Sequence, residues 1–495
     1  MAATTERPNR TYGNWRRPRT GGIAGLGLAP TVGGLLGLCL VVLTMLISVV
    51  AALVLGVVLV LVLAPLAIRD RHGRTLMTRI GTRSAWRGTV RRGSHLYRSG
   101  LLGRTEYGQA RLPGLAATSR LTEAQDSWGR PFALLSYPST AHHAVVLTAE
   151  ADGAALVDQD QVDTWVAYWG DWLASLATEP GLVGAAAVIE TAPDSGLRLQ
   201  TEVTGSMSET APTLAKEVLQ DILAEYPAGS ASISTRITLT YSGAARPGHP
   251  RRTAETMADE LGVRLPGLTS GLAMTGAGAA RPLTAVELAE AVRTAYDPAV
   301  APLIEQARAQ GGTNLSWEQA GPLAAQESWD AYRHDSAYSK TWCMSEAPRG
   351  EVLSSVLTGL LAPHPDVARK RVALLYRPHT PASAARIVES DKRDATFIAR
   401  DKARDTAARA AAEQAAAEEA SGAGVTRFGL LVTATVADAE LMPRARAAVE
   451  NLAAPARVEL RPVWGSQAAA FAAALPLGLV LPAHLSLPAL IRDNL

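Results

Sequence analysis

The chain of 495 residues is 47% apolar and 19% charged, long enough for about two to four domains and too apolar to be disordered. Its two cysteines, Cys39 and Cys343, exclude a disulfide-stapled secreted fold. The net charge of +2 hides an asymmetry: residues 1–19 carry five arginines against Glu6, residues 69–111 carry eleven against Asp70 and Glu106, and the remainder is acidic.

Residues 1–19 read as a basic cytoplasmic tail. Residues 20–68 follow with no charge at all, a run of 49 that is too long for one bilayer crossing of roughly 20 residues and suited to two. The sequence therefore predicts a transmembrane hairpin with spans near 25–45 and 48–68, turning around Ile47–Ser48. A single long tilted helix is the alternative. A signal peptide is excluded, because its apolar core runs to only about 7–15 residues. Basic flanks on both sides predict that both ends stay cytoplasmic. Gly33 and Gly37 form a small-xxx-small pair, expected at a helix contact.

The segment 69–111 is a basic juxtamembrane collar. Arg79, Arg83, Arg87 and Arg91 recur every four residues, which puts them on one face of a helix. Such a stripe beside a span is expected to grip anionic lipid headgroups, at about 1 kcal/mol per residue. Direct nucleic-acid binding is disfavoured, since the body that follows is net negative.

From 112 onward, strand and helix patterns alternate, and two α+β domains are expected, 112–334 and 335–495. Ala144–Thr148 and Gly184–Glu190 read as strands flanking a helix at Gln161–Ala177, whose Trp165, Tyr168, Trp169 and Trp172 share one face, expected to be core. Thr210–Tyr226 reads as helix and Ser232–Thr240 as strand. Thr253–Leu261 and Ala285–Tyr296 follow as helices, the latter with a Thr284/Glu287 capping box, and 265–281 reads as a turn region. In the second half, Tyr338–Met344, Val372–Tyr376, Phe428–Val436 and Val458–Pro462 are predicted strands. Glu351–Leu361, a long 381–420 segment, Ala439–Leu452 and Gln467–Ala474 are predicted helices. That order suits the split βαβ arrangement of ferredoxin-like domains.

No enzyme motif is legible. Every lysine follows Ala, Ser, Arg or Asp, so no P-loop Gly-Lys pair exists. No Gly-x-Ser-x-Gly elbow or zinc spacing occurs, and the neighbours His142 and His143 would point to opposite faces of a strand. Gly276-Ala-Gly278 lacks a third glycine and reads as a turn. No catalytic, cofactor or metal site is expected.

Several segments carry a resemblance. They are Arg91-Arg-Gly-Ser-His-Leu-Tyr-Arg-Ser-Gly100, Tyr296-Asp-Pro298, Thr341-Trp-Cys343 and the run Ser354 to Asp394, with Leu361-Ala-Pro-His-Pro-Asp366 and Arg371-Val-Ala-Leu-Leu-Tyr376 inside it. Phe471-Ala-Ala-Ala-Leu-Pro476 completes the set. In this order they resemble an actinobacterial family in which a PrgI-like two-span hairpin precedes a domain similar to the N-terminal, non-ATPase part of VirB/TraC-type conjugative ATPases. In those ATPases a nucleotide-binding domain follows the Leu-Pro segment. Here 19 residues follow Pro476. The resemblance implies a multi-pass membrane scaffold of a type IV secretion or conjugation machine that docks a separate P-loop ATPase and other machine proteins. Homo-oligomerisation is left open. A type VII secretion membrane component and a membrane-tethered enzyme are the alternatives.

Overall fold

The computed structural model describes residues 10–13, 15, 28–68, 70, 72–100, 103, 109–151, 153, 156–208, 210–225, 231–245, 250–348, 350–397, 413–417, 422 and 424–485. A two-residue strand, β1 (Thr11–Tyr12), precedes two apolar helices, α1 (Leu28–Met45) and α2 (Val49–Ala67), which pack against each other. Helix α3 (Leu76–Arg91) then leads into the body.

The body is built on one 13-stranded sheet. Its first members are β2 (Leu96–Arg98), β3 (Arg120–Gln125), β4 (Pro131–Tyr137) and β5 (His142–Glu150). After helix α4 (Gln159–Ser175) comes β6 (Leu182–Pro193); after α5 (Leu197–Ser206) and α6 (Thr213–Glu225) comes β7 (Ala231–Ser242). Helix α7 (Ala254–Ser270) returns to β8 (Ala279–Pro282), and α8 (Ala285–Tyr296) and α9 (Ala301–Ala309) complete the first half. The second half contributes β9 (Ala324–Glu327), β10 (Tyr332–His334), β11 (Ala337–Glu346), the small β12 (Val352–Leu353), helix α10 (Thr358–Leu361), β13 (Arg369–Pro378), helix α11 (Pro381–Phe397), β14 (Thr426–Val436) and β15 (Glu459–Pro462). Helices Met442–Ala453 and Gln467–Ala473 flank β15.

The sheet order is β2-β9-β10-β11-β14-β13-β6-β7-β5-β4-β3, with β15 also beside β11 and β8 also beside β5. Every pairing is antiparallel. The same topology occurs twice. In the first half β8-β5-β7-β6 run side by side, in chain order 4-1-3-2, and in the second half β15-β11-β14-β13 do the same. In each, strands one and two run parallel with strand three between them, which is a split βαβ arrangement. Even the preceding meander repeats, as β3-β4-β5 and β9-β10-β11. The two units join edge to edge through β6 and β13, from Lys370 opposite Thr191 to Tyr376 opposite Ala185. The boundary expected at 334/335 falls in the tight turn between β10 and β11, and both halves share this sheet.

One face of the sheet is covered by α4 and α7, over a core that includes Phe132, Leu147, Ile237 and Leu261, and by α10 and the Met442–Ala453 helix, over Trp342, Val372 and Val432. The opposite face is covered by α8 and by the C-terminal stretch around Phe471, Leu475 and Leu477. Three of the four aromatic residues on α4 face inward, Trp172 buried, Trp169 stacked on it with ring centroids 5.2 Å apart and Trp165 packed at Gly276, whereas Tyr168, expected in the same core stripe, is exposed.

Three further expectations are corrected. Helix α7 does not stop before 265 but continues through Pro266 to Ser270. Proline there deprives the Gly262 carbonyl of its helical donor, and the backbone N–H of Ser127 supplies one instead at 3.0 Å. Glu351–Leu361 is not one helix: Val352 and Leu353 pair with β1, and only a 3-10 turn and α10 follow. Within 381–420, helix is described over Pro381–Phe397 and 413–417, while 398–412 and 418–420 lie outside the described residues.

Candidate functional site

The hairpin is apolar over nearly its whole surface. Among its described side chains only Ala52 is buried, whereas Leu36, Leu43, Val50, Leu53 and Leu61 are exposed. A helix that is apolar all round needs an apolar surrounding, since each Val or Leu left in water forfeits about 1.5–3 kcal/mol. Val49–Leu66, with mean hydropathy 3.1, is long and apolar enough to cross a membrane, and Thr31–Met45 is a shorter apolar helix. The turn between α1 and α2 is tight. The N–H of Ser48 donates to Thr44 at 2.8 Å, and Ser48 Oγ accepts from the N–H of Ala51 at 3.4 Å, capping α2. Gly37 lies against Leu59, so close that a Cβ there would sit 2.4 Å from a Leu59 methyl. Gly33 has nothing within 4 Å, and Gly34 makes the second contact, against Leu63.

Asp70 turns the chain from α2 into α3, its Oδ1 accepting from the N–H groups of His72 and Arg74, both at 2.9 Å. Slight burial opposes its ionisation, and these two N–H donors more than offset it, so the carboxyl lies below its ordinary range. Thr75 caps α3 by accepting from Thr78 N at 3.2 Å. Arg79, Arg83, Arg87 and Arg91 are all exposed, with exposed Ile80 and Val90 in the same sector. Trp86, at the edge of this stripe, docks on the body: its ring meets Trp329 and His95, each at 6.2 Å between centroids. Just upstream, His72 meets Trp464 at 6.0 Å, and the Arg74 guanidinium lies 5.7 Å from the same ring. These ring contacts seat α3 on the body, and the four arginines beside them stay exposed.

A second tie was not legible in the sequence. Thr11 and Tyr12, which precede the hairpin, pair antiparallel with Leu353 and Val352, far beyond it. Thr11 Oγ1 donates to Glu351 at 2.6 Å and Tyr12 OH to Asp163 at 3.1 Å. A two-residue strand has no sequence period, and neither partner carries a motif.

Residues 19–78 match a family described as a domain of unknown function, DUF8461. No curated protein matches the chain. The DUF8461 segment takes in α1, α2, the Asp70 turn and the start of α3, and it ends just before Arg79.

Beyond the DUF8461 segment, no three His, Cys, Asp or Glu side chains are grouped to hold a metal among the described residues. His142 and His143 are both buried, and His143 Nδ1 is 2.9 Å from Ser136 Oγ. His334 lies between the Tyr296 carbonyl and Ser339 Oγ, and burial pushes its pKa down to about 4, so it is a neutral core residue. Lys370 is buried with its ammonium on the Ala362 carbonyl, and burial lowers its pKa to about 8.

Proposed function

We propose that this chain is a membrane platform: the DUF8461 segment enters the bilayer as a two-span hairpin, the α3 arginines lie on anionic headgroups, and the body stays in the cytoplasm. On the resemblance given above, the platform serves a type IV secretion or conjugation machine and docks a separate P-loop ATPase. The observation that carries the reading is the pairing of Thr11–Tyr12 with Val352–Leu353. A chain whose two flanks touch on one side of a bilayer has crossed it an even number of times, which favours a hairpin over one long span. Arginine-rich flanks put that side in the cytoplasm.

In a background with Cys39→Ala and Cys343→Ser, a cysteine introduced by Ile47→Cys should react with a membrane-impermeant maleimide in intact cells. One introduced by Arg10→Cys should react only after permeabilisation. Labelling of both from the same side would end the hairpin reading. For the docking role, the detergent-solubilised protein captured from its native membrane should bring down a P-loop ATPase with conjugation proteins, identified by mass spectrometry. Small WXG-type substrates and a mycosin-like protease would instead assign it to type VII secretion, and recovery of the chain alone would remove the scaffold reading.

A further inference from the structure

The joint between the two split βαβ units is polar on the face opposite α4. Glu190 on β6 stands directly across from Arg371 on β13. It accepts from Arg371 Nε at 2.6 Å and from Arg369. Arg236 on β7 faces the same carboxylate electrostatically, so one buried anion is shared among three guanidinium groups. At this floor the three guanidinium groups outnumber the one carboxylate, while Asp194 and Glu305 stand nearer the mouth. Arg369 Nε and Arg371 Nη1 are buried with no hydrogen-bond acceptor. The one hydrogen bond that Arg236 makes among the described residues goes from Nη1 to Ser234 Oγ, at 3.0 Å, and no carboxylate lies within ion-pair distance of it.

A cleft of about 550 Å³ opens over this floor. Arg236, Arg369, Ser232 and Ser234 line its base, and Ala291, Pro302 and Ile304 from α8 and α9 form an apolar wall. Of the acidic groups near the mouth, Glu290 is ion-paired with Arg308, whereas Asp194 and Glu305 are held by neutral donors and keep their charge. Asp194 accepts from the N–H of Gly196 at 3.1 Å, Glu305 from Ser195, and Glu290 binds Arg308 at 2.6 Å and Thr313 at 2.5 Å. Buried cations with unused donors are costly unless an anion completes them. The size is that of a small-molecule site.

We propose that this cleft binds a small oxyanion of the phosphate class, either inorganic phosphate or a phosphate monoester, held by the guanidinium groups of Arg236 and Arg369 beside the hydroxyls of Ser232 and Ser234. Guanidinium forks match the geometry of tetrahedral oxyanions. The ester body of a monoester would lie on the Ala291, Pro302 and Ile304 wall. Because β6 and β13 belong to different units, the bound anion would also brace their joint.

The test uses the full-length protein in nanodiscs, with thermal unfolding and calorimetric titration at constant ionic strength. Inorganic phosphate and glycerol 3-phosphate should raise the unfolding temperature where chloride does not, with the monoester the tighter ligand. Arg236→Gln should weaken phosphate affinity roughly tenfold or more, and Arg236→Lys, which keeps charge but loses the fork, should fall between. Arg83→Gln with Arg87→Gln should leave it unchanged. An equal response to chloride, or wild-type affinity in Arg236→Gln, would overturn the proposal. So would loss of binding only in the α3 double variant, which would reveal an adventitious ion on the membrane-facing stripe. Should Arg236→Gln fail to fold, Arg236→Lys and Ser234→Ala carry the same comparison.

Discussion

Glu190→Gln is expected to destabilise the body by about 3–5 kcal/mol, because it leaves Arg236, Arg369 and Arg371 facing one another without their shared anion. Chemical denaturation of the two proteins at pH 7 measures this directly, and a loss under about 1 kcal/mol would mean that the cluster does not hold the seam. The same group sets an acid limit. Burial opposes ionisation of Glu190, but Arg371 and Arg369 outweigh it and bring the pKa down to about 2 from an ordinary 4.5. A carboxyl whose pKa is lowered by folding stabilises above its unfolded value and loses that contribution as the pH falls toward its folded one. The native protein should thus lose about 3 kcal/mol between roughly pH 4.5 and pH 2, and Glu190→Gln should lack this component of the profile.

Replacing Arg79, Arg83, Arg87 and Arg91 together by glutamine should abolish enrichment of anionic lipids among those that co-purify with the protein. At about 1 kcal/mol per arginine near a charged surface, four amount to about 4 kcal/mol at low salt, or roughly a thousandfold in preference. The substitution leaves Trp86 and its seat on Trp329 intact, so the fold should be unaffected. Lipid mass spectrometry of both proteins reads the outcome. Unchanged enrichment would remove the headgroup role from α3.

Much of the secondary structure could be read from local pattern. The capping box at Thr284 and Glu287 marks the start of α8, and the alternation of Ile233, Thr235, Ile237 and Leu239 lies within β7. The twofold repetition of the sheet had no such signature. The slot filled in the first unit by the 17-residue α4 holds, in the second, a 3-10 turn and the four-residue α10. Equivalent strands share hydrophobic character without sharing residues, so a search for repeats in sequence has nothing to detect. The sequence pattern ends α7 at Leu261 and places a turn from 265, because the donor that compensates for Pro266, Ser127, lies far away in the β3–β4 turn. The arginine cluster is hidden for a similar reason. Glu190 ends one apolar run and Arg371 begins another, and only the pairing of β6 with β13 makes them neighbours. In the N-terminal segment the arginine spacing is visible in the sequence, whereas the glycine that takes up the second α1–α2 contact is Gly34 and not Gly33, because i to i+4 spacing fixes a face but not which residue meets a neighbour's side chain.

The short ladder between β1 and β12 has a mechanical consequence. With β1 fastened to the body ahead of the hairpin and α3 seated on it behind, the body has two moorings to the apolar helices α1 and α2 instead of one. A single tether would let the body swivel freely; two moorings resist rotation about the long axis of the hairpin and divide any pull between separate stretches of chain. Torque applied to the sheet would then reach the hairpin as a couple, and the orientation of the body would be fixed relative to whatever the hairpin packs against.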